Sequence, residues 1–190
     1  MSRFFLALLA ASCLIIISGC APVLDATHSK PIQQNPGKRT LGQAFDDENI
    51  EEIFLVNLKK TDDRFMSAHV NAVCFNGVIV LIGQVPSEEL RQTAARVASN
   101  LRVRQVQNAL TVGPNATPAV RSYDAWLTTK IKAKFAADND INAGRVKVVT
   151  ENGVIYLMGL VTQREADKAA SLAQATDGAQ RIVKAFEYID

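Results

Sequence analysis

"FNGVIVLIGQV" (Phe75 to Val85) and "ENGVIYLMGLV" (Glu151 to Val161) share an Asn-Gly pair, an apolar run and a second glycine, 76 positions apart. Asn-Gly between two apolar, β-branched runs marks a two-residue hairpin, because both positions of a type I′ turn need positive φ. The flanking strands are Val70 to Phe75 and Val78 to Ile82 in the first copy. In the second they are Val146 to Glu151 and Val154 to Met158. A two-residue turn fixes the pairing register. Cys74/Ile79 and Ala72/Leu81 then share one face; Phe75/Val78, Val73/Val80 and Asn71/Ile82 share the other. In the second copy Thr150/Ile155 and Val148/Leu157 share a face, and Glu151/Val154, Val149/Tyr156 and Lys147/Met158 the opposite one.

Outward from the hairpins, the repeat continues without a gap from Phe65 to Val112 at an offset of 76. The helical segments upstream match at 77: Asp47 to Asp124, Ile50 to Leu127, Phe54 to Ile131, Leu58 to Phe135. Periodic apolar residues predict first helices at Asp47 to Lys60 and Asp124 to Ala137, with Asp46 or Asp47 and Asp124 as N-caps. Second helices are expected at Ser87 to Leu101 and Thr162 to Thr176, the latter opened by Thr162 and Glu165 as a capping box. Third strands, near Arg104 to Val112 and Arg181 to Ile189, run parallel to the second strands through a right-handed crossover. Each copy thus reads helix–strand–strand–helix–strand, an α+β unit with a three-stranded sheet. Two helices cover one sheet face, yet the second face is also apolar in both copies. The expectation is that the two sheets pack face to face with the helices outward, since an exposed apolar face of that size is costly.

The chain has 190 residues and a formal net charge of +2, so bulk charge points to no partner. Residues 1–19 read as a lipoprotein signal: a short positive start, an apolar run from Phe4 to Ile17, then "ISGC" ending at Cys20. Similarity to the lipobox implies cleavage before Cys20, acylation of its thiol and new amine, and a multiply acylated anchor. Ala21 behind it implies the outer membrane. Residues 20–45, with Pro22, Pro31, Pro36 and Gly37, read as a flexible lipidated tether of ~80 Å at full extension. The first module spans 46–112, a linker 113–121 and the second module 122–190. Once Cys13 leaves and Cys20 is acylated, only Cys74 remains, and it reads as a buried small apolar residue with no disulfide or metal role.

The unit carrying "NGVIVLIGQV" and "NGVIYLMGLV", with "WLTTKIKAKF" (Trp126 to Phe135), resembles the BON domain, and two copies behind a lipobox resemble the dual-BON-domain outer-membrane lipoproteins. That resemblance implies a non-enzymatic protein that supports envelope integrity. It further implies binding of anionic phospholipid through the second copy, enrichment at division sites, and contact with the outer-membrane assembly machinery.

The residues point to the same surface. The first helix of copy one begins with Asp46, Asp47, Glu48, Glu51 and Glu52, a surface expected to repel an anionic membrane. Its counterpart carries Lys130, Lys132, Lys134 and the only tryptophan, Trp126. Leu127, Ile131 and Phe135 form its core stripe; Trp126, Lys130, Ala133 and Ala137 form another about 130° away, with Lys134 between the two. Trp126, Lys130, Lys132, Ala133, Lys134 and Ala137 are therefore the candidate phospholipid-binding residues. The alternative is a periplasmic adaptor in which Trp126 anchors a protein partner. No nucleophile elbow, phosphate loop or metal-ligand cluster is present in the sequence, so no catalytic residue, cofactor or small-molecule substrate is expected. Nucleic acid is not expected as a partner either.

Overall fold

Both Asn-Gly turns adopt the backbone that their sequence demands. Asn76 and Gly77 have φ of 53° and 75°, Asn152 and Gly153 of 49° and 73°. The computed structural model describes residues 37–190; the expected signal peptide, Cys20 and most of the tether lie outside the described residues. Strands β1 (His69–Phe75) and β2 (Val78–Val85) pair antiparallel in the expected register, Cys74 opposite Ile79 and Val73 opposite Val80. Strands β5 (Val146–Glu151) and β6 (Val154–Val161) repeat this, Thr150 opposite Ile155 and Val149 opposite Tyr156. The third strand is parallel to the second in each copy: β3 (Gln105–Asn108) and β4 (Thr111–Val112) along β2, and β7 (Arg181–Tyr188) along β6.

Two details depart from the sequence reading. The third strand of copy one is interrupted, because Asn108 turns its amide to the backbone: Nδ2 donates to the Arg91 carbonyl and Oδ1 accepts from the Leu110 N–H. The equivalent residue in copy two, Lys184, pairs at 3.3 Å with Asp167, and β7 runs unbroken. Nor do the second glycines end their strands, since β2 and β6 continue to Val85 and Val161. A Cβ on Gly83 would collide with the His69 carbonyl, and one on Gly159 with that of Arg145. These glycines let the neighbouring strand come close; they do not stop the ladder.

The helices begin earlier than expected. Helix α1 is Leu41–Thr61 and helix α3 is Pro118–Ala137; α2 (Glu88–Ser99) and α4 (Gln163–Gln174) follow the hairpins. The N-cap of α1 is Thr40, in a capping box with Gln43, and that of α3 is Thr117, with proline at the first turn. Part of the expected tether and part of the expected linker are therefore helical. The offset of 77 holds through these caps and drops to 76 at the C-caps, Asp62 and Asp138. The Asp62 N–H bonds to Leu58 four residues back, and the Asp138 N–H to Phe135 three back. The extra residue of copy one is thus absorbed in the last helical turn.

Asp47 and Asp124 are not N-caps; each lies inside its helix, buried, and reaches the hairpin. Asp47 accepts the Asn76 and Gly77 N–H groups at 2.8 Å each. Asp124 accepts those of Asn152 and Gly153 at 2.7 and 2.9 Å. A two-residue turn leaves those amides without ladder partners, so the carboxylate satisfies them. Copy one adds Arg39, 2.5 Å from Asp47 and stacked 3.9 Å above the Phe75 ring. Burial pulls the Asp47 carboxyl upward, but hydrogen bonds from Gly77, Arg39, Asn76 and Cys74 outweigh it and hold the group below the usual carboxylate range. Cys74 is buried as expected but is not merely apolar, because its thiol donates to Asp47 at 3.2 Å. Burial, and then the Asp47 charge, push that thiol far up.

Three buried clusters follow. One lies between α1, α2 and the helix-side face of the first sheet, around Phe54, Leu58, Ile79 and Leu81. A second, around Leu127, Ile131, Phe135 and Leu157, is its equivalent in copy two. The third joins the opposite faces of both sheets: Val73, Phe75, Val78, Val80 and Ile82 with Tyr156, Met158 and Ala185. Polar bonds ring it. Gln84 donates to Glu151 at 2.8 Å and accepts from the Ala116 N–H. His69 lies 3.4 Å from Glu151, Lys147 pairs with Glu51 at 2.6 Å, and Arg104 pairs with Glu187.

Two outcomes follow from these contacts. NMR relaxation of residues 37–190 gives one rotational correlation time for both copies, whereas Val80→Asp, placing a charge in the shared cluster, separates them into two. Because the folded Asp47 carboxyl lies below its unfolded value of about 3.9, its contribution is complete above that pH and is lost as pH falls through the folded value. In acid-limb unfolding curves, Asp47→Asn lowers stability at neutral pH and flattens this part of the acid dependence.

Candidate functional site

Helix α3 presents two unlike sides because Asp124 fixes its rotation. With Asp124 clasped to the hairpin, Leu127, Ile131 and Phe135 fall inside and are fully buried. Trp126, two residues beyond Asp124, is carried to the outside and is 51% exposed. It is held there in a set geometry. The Tyr123 ring lies 5.3 Å away at 34° to it, and the Lys130 ammonium sits 4.8 Å from its ring centroid on the next turn. Lys130 also lies 3.5 Å from the fully exposed carboxylate of Asp177. Lys134, one turn further, donates to Thr176 Oγ1 at 2.9 Å.

The connection after α4 supports this arrangement. Gly178 has φ of 99°, and a Cβ there would collide with the Tyr123 hydroxyl. Only glycine meets both conditions without strain, so Gly178 seats Tyr123, Tyr123 braces Trp126, and Trp126 carries Lys130. Ala133 and Ala137 continue the stripe as exposed small side chains. Lys134 and Ala137 border a shallow groove of about 320 Å³ with Leu172 and Ala175.

The structure therefore brings Trp126, Lys130, Ala133, Lys134 and Ala137 to one side of α3. Lys132 does not join them. It lies on another flank, in a groove of about 390 Å³ with Arg39, Glu48, Phe75 and Lys147. Sequence reasoning missed Tyr123, Thr176, Asp177 and Gly178. The spacing of Tyr123 three residues before Trp126 was the available signal for the first; the others are remote in sequence and needed the fold.

The acidic surface expected on α1 is also smaller than its sequence suggests. Asp47 is consumed by the turn clasp, and Glu51 accepts the Cys74 N–H and the Lys147 ammonium, both at 2.6 Å. Asp46, Glu48 and Glu52 remain for solvent. Among the described residues no group of three His, Cys, Asp or Glu is placed to hold a metal ion, and no helix is long and apolar enough to cross a membrane.

Comparison with known proteins agrees with the repeat. Residues 46–114 and 123–190 each match the model of the BON domain. The chain is 36% identical over 177 residues to the outer membrane lipoprotein DolP of Haemophilus influenzae, covering 93% of this chain and 92% of that one. It is 33% identical over 163 residues to a 21 kDa hemolysin of Actinobacillus pleuropneumoniae, covering 85% and 82%. It is also 33% identical over 124 residues to osmotically-inducible protein Y of Escherichia coli, covering 63% and 62%.

The bracing of Trp126 has a direct readout. Gly178→Ala forces a β-carbon into a left-handed position already filled by Tyr123, and costs at least about 1 kcal/mol in urea unfolding. The emission maximum of Trp126, the only tryptophan, shifts with it. A deletion of the Tyr123 ring (Tyr123→Ala) reproduces the emission change.

Proposed function

This chain belongs to the BON-domain family and is envelope-associated, and from that premise we propose that it is a lipoprotein anchored through Cys20 to the periplasmic face of the outer membrane, where it supports envelope integrity and collects at division sites. Its recognition step is the binding of anionic phospholipid, phosphatidylglycerol-like in charge, by the outer side of α3. The observation that carries this reading is the braced Trp126 with Lys130 above its ring.

The physics of such a contact is additive and modest. A tryptophan ring prefers the headgroup layer, where its apolar body and indole N–H both find suitable surroundings. Lysines near an anionic surface contribute about 1 kcal/mol each. Lys130 lies over the ring and Lys134 one turn beyond Lys130, and the small Ala133 and Ala137 let the helix approach closely. This affinity is weak by itself. A lipidated chain, however, holds the module within a tether length of the membrane, which replaces a bimolecular encounter by a high effective concentration. The anchor supplies residence and α3 supplies selectivity. Asp177 tempers the selectivity, since its carboxylate competes for Lys130 in the absence of lipid.

Cys20→Ser protein, which lacks the acyl anchor, tests this reading on vesicles of phosphatidylethanolamine with and without phosphatidylglycerol. Binding is expected only with the anionic lipid, falls as salt rises, and drops at least about tenfold with Trp126→Glu. Lys132→Glu, off the stripe, has the smaller effect. Binding indifferent to both anionic lipid and Trp126 removes lipid recognition and leaves the adaptor reading of the same surface.

A further inference from the structure

Helix α1 carries apolar side chains on both of its sides. Phe54 and Leu58 face the core, while Leu41, Phe45, Val56 and Ile53 are 91, 66, 51 and 49% exposed. At 100° per residue, Leu41, Phe45 and Val56 fall on the side opposite Asp47 and Phe54, with Ile53 on the adjoining flank. Large exposed apolar side chains gathered on one helix face mark a contact surface. Asp46, Glu48 and Glu52 are interspersed with them, and none of these three forms a salt bridge among the described residues.

A groove of about 480 Å³ opens beside this face, between Asp46, Asn49 and Ile53 of α1 and Asn100, Leu101 and Arg102 after α2. The repeat shows what such a place accommodates. The equivalent positions of copy two are Tyr123, Trp126 and Lys130 on α3, and Thr176, Asp177 and Gly178 after α4. There the chain lays its own rings across the gap, Tyr123 over Gly178 and Trp126 against Tyr123, with Lys130 paired to Asp177. Copy one has shorter side chains at the aromatic positions and leaves the space open.

We propose that the outer face of α1, with this groove, is a docking surface for a partner protein that presents an amphipathic segment: an aromatic side chain for the groove, further apolar side chains along Leu41, Phe45 and Val56, and lysine or arginine opposite Asp46, Glu48 and Glu52. The partner then supplies to copy one the aromatic and the cation that copy two supplies to itself. An anionic membrane is disfavoured by the three free carboxylates. A two-fold contact with a second copy sets this carboxylate-bearing face against its own equivalent. The aromatic–lysine side of a second copy carries Asp177 beside Lys130, a carboxylate that would face those of α1.

The test uses the full-length chain in its bacterial host, with a photo-cross-linking residue at Phe45 or Val56 and, as a control, at Thr129 on the solvent side of α3. Adducts are digested and the attached peptide is sequenced. The expected result is one distinct protein at Phe45 and Val56 and not at Thr129, attached through a segment that carries apolar and basic residues. Its yield falls at least fivefold with Glu48→Lys combined with Glu52→Lys. Ile53→Arg, which blocks the groove and leaves the carboxylates in place, gives the same loss; both variants retain the parent circular dichroism. Arg164→Glu, a charge reversal on the exposed side of α4 and outside both surfaces, leaves the yield unchanged. Adducts only to lipid or to a second copy, no adduct at either position, or a yield indifferent to charge reversal overturns the proposal.

Discussion

The carboxylates of Asp47 and Asp124 hold the rest of the structure in place. Each closes the two amides that a tight Asn-Gly turn leaves open, and so ties the rotation of a long helix to the tip of its hairpin. The consequence is angular. Once Asp124 points at the turn, Leu127, Ile131 and Phe135 must face the sheet and Trp126 must face away. Once Asp47 does the same, Phe54 and Leu58 go inward and Leu41, Phe45 and Val56 outward. A charge-assisted bond to a backbone amide is worth more than a neutral one, and here two converge on each carboxylate in a place with little water. The outward side chains on these helices are thus oriented by buried residues that take no part in the surface.

The second constraint is the apolar character of both faces of each hairpin. The helices of one copy cover one face, and the other joins a cluster drawn from both sheets. The polar groups at its border find partners within the fold: Gln84 with Glu151 and the Ala116 amide, Lys147 with Glu51 and the Cys74 carbonyl. Matching of this kind selects one arrangement of the copies, since any slip leaves a buried carboxylate unpaired. Duplication therefore gives each module the cover that it lacks alone, and leaves the outer sides of α1 and α3 for contacts with other molecules.

Much of this was legible in the sequence, for identifiable reasons. Two-residue turns permit a single register, so every strand pair of β1–β2 and β5–β6 followed from Asn76-Gly77 and Asn152-Gly153. The core stripe of α3 followed from its period, and with it the outward position of Trp126. The helix starts were less legible. Leu41 and Phe45 lie on the solvent side, so the apolar period of α1 dissolves in its first turns even though Thr40 and Gln43 spell a capping box. Asp47 and Asp124 read as caps in the sequence because a short carboxylate near a helix start usually is one; the sequence offers no sign that a hairpin amide stands in its reach. At the candidate site, Trp126, Lys130 and Lys134 were visible by helical spacing. Gly178 and Asp177 were not, because their relation to α3 exists only once the connection after α4 folds against it.

Seen through the repeat, the two copies have diverged least where they bind themselves and most where they face outward. The thread of the hairpin, the clasping aspartate and the threonine caps at positions 40 and 117 are shared. The outer sides of the first helices differ in chemistry: carboxylates and apolar side chains beside an open groove in copy one, lysines and rings across a filled one in copy two. Single exposed apolar side chains are ordinary on a solvated face, whereas several gathered on one helix side are not. Four large exposed apolar side chains on α1 beside three unpaired carboxylates, and a braced tryptophan on α3, are departures from that expectation in two different directions. One scaffold with one internal joint thus presents two outward surfaces of contrasting charge, and the membrane contact proposed for α3 leaves the outer side of α1 open to the protein partner proposed there.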